Sequence, residues 1–465
     1  MRIFSALVMI LPILYLFFRI IKKTDLLNPL TLFAAFFVIK VAIPTLILTD
    51  ETNVSSLITN DYLQASILDN NVFLEYAFLQ VVVFFIALLG IRTSIQSGIV
   101  NKVATREGRL FEPTNREGGI NTYLVLGCGL CCIGIVAFVL MMRAVGGINY
   151  FMSNLQMRTT MISSQTTLYW LISLLENVPI LLAYYCFKKY PFNRLKIVFL
   201  VFFSCILGLM CGLGGRTTLV MILIQIMIIY HYVVKPIELK SLLQPQFLLL
   251  IIGMMAFIVI MPALRNPGEW TSFVESPMQY LFKHFSNVFS LITEESYVPH
   301  YTAVIKYFST HNFWHGSSFK GLLTGFIPSS LMTGKPPVDD GMYLYSICLG
   351  REDIQPVMSA SSLDLSSYPL ETFGAMYANF GILGVIVGFW ILGRIIGHAY
   401  YSMINSEHNK LFYILIYTAT IVSFQLSTLR VEQFIISYIK WFVIFEILVR
   451  VRIGEVGLYD EQKHS

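Results

Sequence analysis

Apolar runs and short polar connections alternate along almost the whole chain. Eleven runs lie near residues 3–20, 29–48, 72–91, 120–142, 167–187, 196–212, 217–234, 246–262, 371–393, 410–427 and 433–449. Each approaches the roughly 20 residues that a helix needs to cross a bilayer. Backbone groups in lipid must be satisfied within the segment, so the pattern predicts helices. One interval breaks the rhythm, a stretch from about 263 to 370 between the eighth and ninth runs. The expectation is an all-α polytopic membrane protein of about eleven transmembrane helices. Residues 1–262 carry spans one to eight, 263–370 form one large ordered loop, and 371–465 hold the last three spans and a short tail.

Composition strengthens this reading. Of 465 residues, 56% are hydrophobic and only 13% charged, against about 25% charged in a soluble domain. A net charge of +5 is too small and scattered for a nucleic-acid reader. The seven cysteines suggest no disulfide framework: Cys128 and Cys131 form a CxxC inside an apolar run, where small packing residues are expected. Arg2 followed by an apolar stretch resembles a signal peptide. No small-residue cleavage site follows, and Arg19, Lys22 and Lys23 form a basic flank, so a retained span is predicted.

Charge placement orients the spans. Nineteen Lys and Arg residues fall in the connections on one side, and Arg2, Arg143, Arg158, Arg216 and Arg430 in the short connections opposite. The basic side is therefore expected in the cytoplasm, with the N-terminus outside and the C-terminus inside. The connection at 49–71 contains Asp50, Glu51, Asp61 and Asp69 and no Lys or Arg, which suits an outer loop. The long 263–370 segment falls on that side too. It is rich in aromatics, Trp270, Tyr280, Tyr301 and Trp314 among them, unlike a disordered stretch, and long ordered loops commonly carry function.

Motifs of soluble enzymes are absent: no P-loop, HExxH, nucleophile elbow or dinucleotide fingerprint occurs. Asp339-Asp340, set between Pro and Gly, reads as a turn. His311 and His315 have a metal-ligand spacing but no evident third ligand, so no metal or cofactor is expected. The sharpest signal is Gly212-Leu-Gly-Gly-Arg216-Thr-Thr218 between two spans. Glycines allow a tight reversal, and the next helix's first N–H groups would join Arg216 at headgroup depth. Such a corner suits a phosphate or pyrophosphate, although an interfacial Arg also simply snorkels to lipid headgroups. Arg265 ends the span before the long loop at the same depth, and Arg158 and Arg430 occupy other outer connections. Lys40, Glu176, Lys440 and Glu446 lie within apolar runs, where ionisable groups pair with one another or serve transport. Glu371 opens the ninth span, where the helix dipole favours a carboxylate and where an outer-face general base could stand.

Together these features resemble the Wzy-type oligosaccharide repeat-unit polymerases of bacterial envelopes. The resemblance rests on the eleven spans, Gly214-Gly-Arg-Thr217, the large loop before the last three spans, Gly316 to Pro328 followed by Lys335-Pro-Pro337, and Ala378-Asn-Phe-Gly-Ile-Leu-Gly384. The related O-antigen ligases have a similar layout with a His-Asn-type motif entering the helix after the loop. Here that place holds Glu371, and no His occurs between His315 and His398, which argues against a ligase. The resemblance implies an inverting glycosyl transfer at the outer leaflet of the inner membrane. A growing chain would leave undecaprenyl pyrophosphate for the end of a second lipid-linked repeat unit. Arg216, Arg265, Arg158 and Arg430 would bind pyrophosphate, and Glu371 or His315 would act as base. A chain-length-regulating co-polymerase is the implied protein partner. The competing class is a transporter of lipid-linked oligosaccharide.

Overall fold

A computed structural model of the chain describes residues 1–22, 25–96, 120–154, 166–189, 194–212, 216–238, 267–280, 293, 296–325, 327, 332, 334, 335–364, 366–406 and 410–448. Every regular element among them is helical. Among the described residues six helices are long and apolar enough to cross a membrane: Arg2–Ile21, Pro29–Ile47, Asn70–Gln96, Thr122–Val145, Thr167–Lys188 and Glu371–Asn405. The chain is thus a multi-pass helical membrane protein. The expected runs near 196–212, 217–234 and 410–427 appear as the shorter apolar helices Val198–Cys211, Thr218–Val233 and Leu411–Val422. The run at 433–449 is occupied by Thr428–Trp441 and a π-helical stretch, Phe442–Leu448. The run at 246–262 lies outside the described residues.

Two compact units emerge, and they do not follow the linear division into spans, loop and spans. One comprises Met1–Lys102, Val288–Ser406 and Ala419–Lys440; the other comprises Val103–Asn287, Glu407–Thr418 and Trp441–Ser465. Contacts between segments distant in the chain decide this, so no sequence boundary marks it.

The first unit is organised by Arg2. Its guanidinium donates to Asn70 Oδ1 at 3.0 Å, to the Ile67 carbonyl at 2.9 Å and to the carbonyls of Leu48 and Thr49 at 3.3 Å each. The start of the first span, the end of the second and the start of the third therefore share one face. At the other end Arg19 donates to Thr31 Oγ1 at 3.3 Å. The second span begins cleanly because Asn28 Oδ1 accepts the Leu30 N–H at 3.0 Å with Pro29 in the first turn.

Helices Asn70–Gln96 and Glu371–Asn405 lie side by side and run parallel. Tyr377 donates to Glu75 Oε1 at 2.8 Å near their starts, and Ser94 donates to the Arg394 carbonyl at 3.0 Å near their ends. Small residues permit this approach. A Cβ on Gly90 would stand 2.6 Å from the Trp390 carbonyl oxygen, and one on Gly393 would stand 2.2 Å from that of Ala87.

On the face marked by Arg2, the short helices Glu51–Leu57 and Asp61–Leu68 meet the helices Val298–Phe308 and Gly341–Cys348. Ser66 and Thr302 share a hydroxyl hydrogen bond of 2.9 Å, Asn60 donates to the Cys348 carbonyl at 3.4 Å, and the Lys306 ammonium lies over the Tyr62 ring. The 49–71 connection and this part of the long loop thus lie on the same side and form one aromatic-rich crown.

The second unit packs Ile120–Val145 against Thr166–Ile172 and Asn177–Lys189, with Arg194–Gly212 and Arg216–Val233 beside them. Met141, Ile172, Leu175, Val178, Leu207 and Ile222 belong to its core. His231 Nδ1 accepts the Ile237 N–H at 2.9 Å and tethers the chain leaving the Arg216–Val233 helix.

Candidate functional site

The site begins with a broken helix. Pro369 and Leu370 lead into Glu371–Asn405, whose first residue has φ +45°, a strained angle for a glutamate. Ten residues later Gly381 adopts φ 65° and ψ −153°, a backbone region open almost solely to glycine. A Cβ there would also lie 2.9 Å from the Phe313 ring. Such a break strands carbonyls that the next turn would have used. The extended segment at Trp314 and His315 takes them up: its N–H groups donate to the carbonyls of Ala378 and Asn379 at 2.8 and 2.9 Å. Asn379 Nδ2 donates to Ser318 Oγ at 2.7 Å and fastens the same segment.

The two halves of this helix differ in surroundings. Glu371 to Asn379 is almost wholly buried, whereas Phe380, Leu383, Val387 and Trp390 expose large apolar surfaces. Ile382 to Asn405 alone spans about 36 Å at the helical rise, enough for a bilayer. The first half is held by the crown instead. Phe373 stacks on Tyr301 at 4.7 Å, Tyr76 meets Phe373 edge-on, and Phe313 meets Tyr377 edge-on.

Glu371 is only 2% exposed, and its charge is met by Arg430. The guanidinium donates through Nε to Oε1 and Oε2 at 3.1 and 3.2 Å and through Nη2 to Oε1 at 2.8 Å; Nη1 reaches Gln433 at 3.2 Å. Thr372 fixes the approach of the segment that leads to Arg430: its hydroxyl accepts the Leu426 N–H at 2.9 Å and donates to Gln425. Burial alone would lower the Arg430 pKa, but the Glu371 carboxylate outweighs it and the net direction is upward. Tyr301, beside this pair, is pushed well above its ordinary value by burial and then by Glu371, so it stands as a neutral phenol.

A third charged group arrives from the long loop. Asp340 is 2% exposed, and its Oδ2 accepts the Thr428 N–H at 3.1 Å, at the start of the helix that carries Arg430. The Thr428 hydroxyl donates to the Val338 carbonyl. Burial raises the Asp340 carboxyl to about 7, against the opposing Thr428 hydrogen bond. Asp339, Asp340, Ser367, Glu371, Ser427 and Arg430 are among the residues lining a cavity of about 130 Å³. That volume suits a few waters or the hydroxyl-bearing edge of a larger ligand. Outside that lining, the Lys40 ammonium lies 5.7 Å from the Tyr297 ring centre, and Tyr297 packs on Tyr301. Lys40 occupies a π-helical bulge, Val38–Ala42, a distortion that recurs at functional positions.

The structure therefore unites Glu371 with Arg430. His315 is exposed with φ 49°, and its backbone meets Asn379, two helical turns or about 12 Å beyond Glu371; it does not line the cavity. His311 stacks flat on Tyr307 at 4.0 Å. Among the described residues no group of three His, Cys, Asp or Glu side chains could hold a metal. Arg216 opens the helix Arg216–Val233, but its side chain lies outside what is described, as do Arg158 and Arg265 entirely. All three belong to the second unit.

Asp340 was hidden by its own turn. Asp339 Oδ1 does accept the Gly341 N–H at 3.0 Å, as the turn reading requires. Its neighbour reaches a backbone group 88 positions away, which no local pattern announces. A buried Asp beside a glycine too crowded for any Cβ, 2.1 Å from the Tyr368 carbonyl oxygen, is the one retrospective hint. The chain matches no protein-family model, no curated protein and no solved structure.

Proposed function

We propose that this chain is a membrane-embedded glycosyltransferase that polymerises lipid-linked oligosaccharide repeat units. The observation that carries the reading is the cavity where the Arg430–Glu371 ion pair and Asp340 meet at the head of a broken membrane helix. A displacement at an anomeric carbon with pyrophosphate departing needs charge stabilisation and an oriented hydroxyl, and no nucleotide site. Arg216, Arg265 and Arg158 are assigned to the pyrophosphate of the undecaprenyl carrier. Arg430 holds Glu371 rigid at the acceptor side. The aromatic crown offers flat faces to sugar rings.

The parallel run of Asn70–Gln96 and Glu371–Asn405 supports the proposed topology. A chain that leaves one such span on one face and begins the other on the opposite face must cross an odd number of times between. The five apolar runs read between them satisfy that parity. With the N-terminus outside and the C-terminus in the cytoplasm, the crown and cavity face away from the cytosol, in the inner membrane of a bacterial envelope. A transporter is the second reading, because broken membrane helices commonly line transport sites and Glu371–Asn405 is broken at Gly381. Arg216→Ala and Arg216→Lys, made in cells whose own copy is deleted, test both readings. Loss of long-chain polysaccharide with single-repeat glycan displayed outside is expected, and Lys should not restore length because a point charge replaces a planar fork. Long chains surviving in both variants refute the leaving-group role, and lipid-linked units accumulating inside identify a transporter.

A further inference from the structure

Within that reading, and resting on it, the group that takes the acceptor's proton can be chosen on geometry. We propose that Asp340 is the general base that deprotonates the acceptor hydroxyl, with Glu371 serving as the fixed counter-ion of Arg430. Three observations separate the two carboxylates. Both oxygens of Glu371 accept from the Arg430 guanidinium at 3.2 Å or less. To receive a proton, Glu371 would have to surrender charge-assisted bonds of the strongest kind. Asp340 lines the same cavity, is 2% exposed and is held at Oδ2 by one backbone N–H. Among the described residues it forms no ion pair with Arg or Lys. A base needs a basic lone pair in a water-poor site and free of a permanent cation, and of these two buried carboxylates only Asp340 meets that description.

The step balances as follows. The acceptor O–H bond breaks, and its proton passes to the Asp340 carboxylate. The oxygen's electron pair forms the new bond to the anomeric carbon of the donor glycan, and the carbon–oxygen bond to polyprenyl pyrophosphate breaks. The pyrophosphate keeps that electron pair, and Asp340 later returns its proton to water. Burial raises Asp340 toward neutrality, which poises it between holding and releasing a proton near pH 7. The groups facing it are Asp339 on its own turn, Tyr343 on the following helix, Glu371, and the Thr428 N–H with Arg430 on the segment opposite.

The test uses the full chain in lipid nanodiscs and undecaprenyl-pyrophosphate-linked repeat units extracted from cells lacking it. Asp340→Asn keeps an acceptor for the Thr428 N–H but cannot take a proton. We expect kcat to fall about 10²- to 10⁴-fold with KM changed by less than about threefold. For the unaltered chain kcat should rise with pH to a plateau, with a midpoint near 7 that disappears in Asp340→Asn. If the unaltered chain is inactive, the polymerase reading falls and this assignment with it. If it is active and Asp340→Asn stays within about threefold, the assignment alone is overturned. It is likewise overturned if the rising limb survives in Asp340→Asn and vanishes in Glu371→Gln. Should Asp340→Asn fail to fold, the unaltered chain decides, and a pH-independent kcat from about 5.5 to 8.5 rejects the base.

Discussion

Arg430→Met would leave the Glu371 carboxylate buried and without its cation. Methionine preserves much of the side chain's apolar stem while deleting the three hydrogen bonds to Glu371, of 2.8 to 3.2 Å, and the one to Gln433. Removing one partner of a fully buried pair costs about 3–5 kcal/mol, whereas an exposed pair is worth about 0–1. Glu371 is 2% exposed and the Arg430 side chain 32%, so the cost should fall nearer the buried limit, roughly 2–4 kcal/mol. At about 2 °C or more per kcal/mol for a large domain, the unfolding midpoint of the chain in nanodiscs should drop by about 5–10 °C. The companion Glu371→Gln/Arg430→Met leaves no charge stranded and should recover at least half of that loss. The cycle of single and double variants isolates the pair. A midpoint within about 1 °C of the parent in Arg430→Met, or a double variant no better than the single, would refute the claim that the pair is desolvated.

Further outcomes follow from the same structure. Gly381→Ala should destabilise by roughly 1–3 kcal/mol, because φ 65° with ψ −153° excludes a Cβ; an unchanged melting midpoint would mean the helix is continuous. Gly393→Val should separate the parallel helices and cost roughly 1–3 kcal/mol or more by overpacking, read as a lower melting midpoint in nanodiscs; an unchanged midpoint would mean the two helices are not in close backbone contact there. Two buried groups give opposite pH trends. His300, packed at a tilt against Tyr368 and lowered by burial from 6.5 to about 4, contributes stability that is present above about pH 6.5 and lost as pH falls through 4. Asp340, raised from 3.8 to about 7, contributes stability present below about pH 4 and lost as pH rises through 7. His300→Gln should therefore gain on the parent in acid, and Asp340→Asn should gain on it at pH 8, in melting midpoints taken from pH 4 to 8.

Much of this was legible from residues alone. Apolar runs of spanning length dictate helices because lipid offers the backbone no partner, and that constraint is local. The shared face of the 49–71 connection and the long loop was also readable, since charge bias and alternation of spans are linear properties. Glu371 and Arg430 could each be picked out as candidates, one at a helix start and one in an outer connection.

What pairs them could not. Their bond joins positions 59 apart, and Glu371 holds its strained φ two residues before Phe373, which stacks on Tyr301 of the distant loop. The break at Gly381 is likewise a tertiary decision, since glycine only permits that backbone. The Trp314–His315 backbone makes it stable by donating its N–H groups to the stranded carbonyls. Asp340 illustrates the limit most sharply. Its sequence context specifies a turn, and the turn forms, but burial by segments 30 to 90 residues away turns an ordinary surface aspartate into a buried titratable group. Hydropathy and charge act residue by residue and are written in the chain; desolvation and pairing belong to neighbours that only the folded molecule brings together.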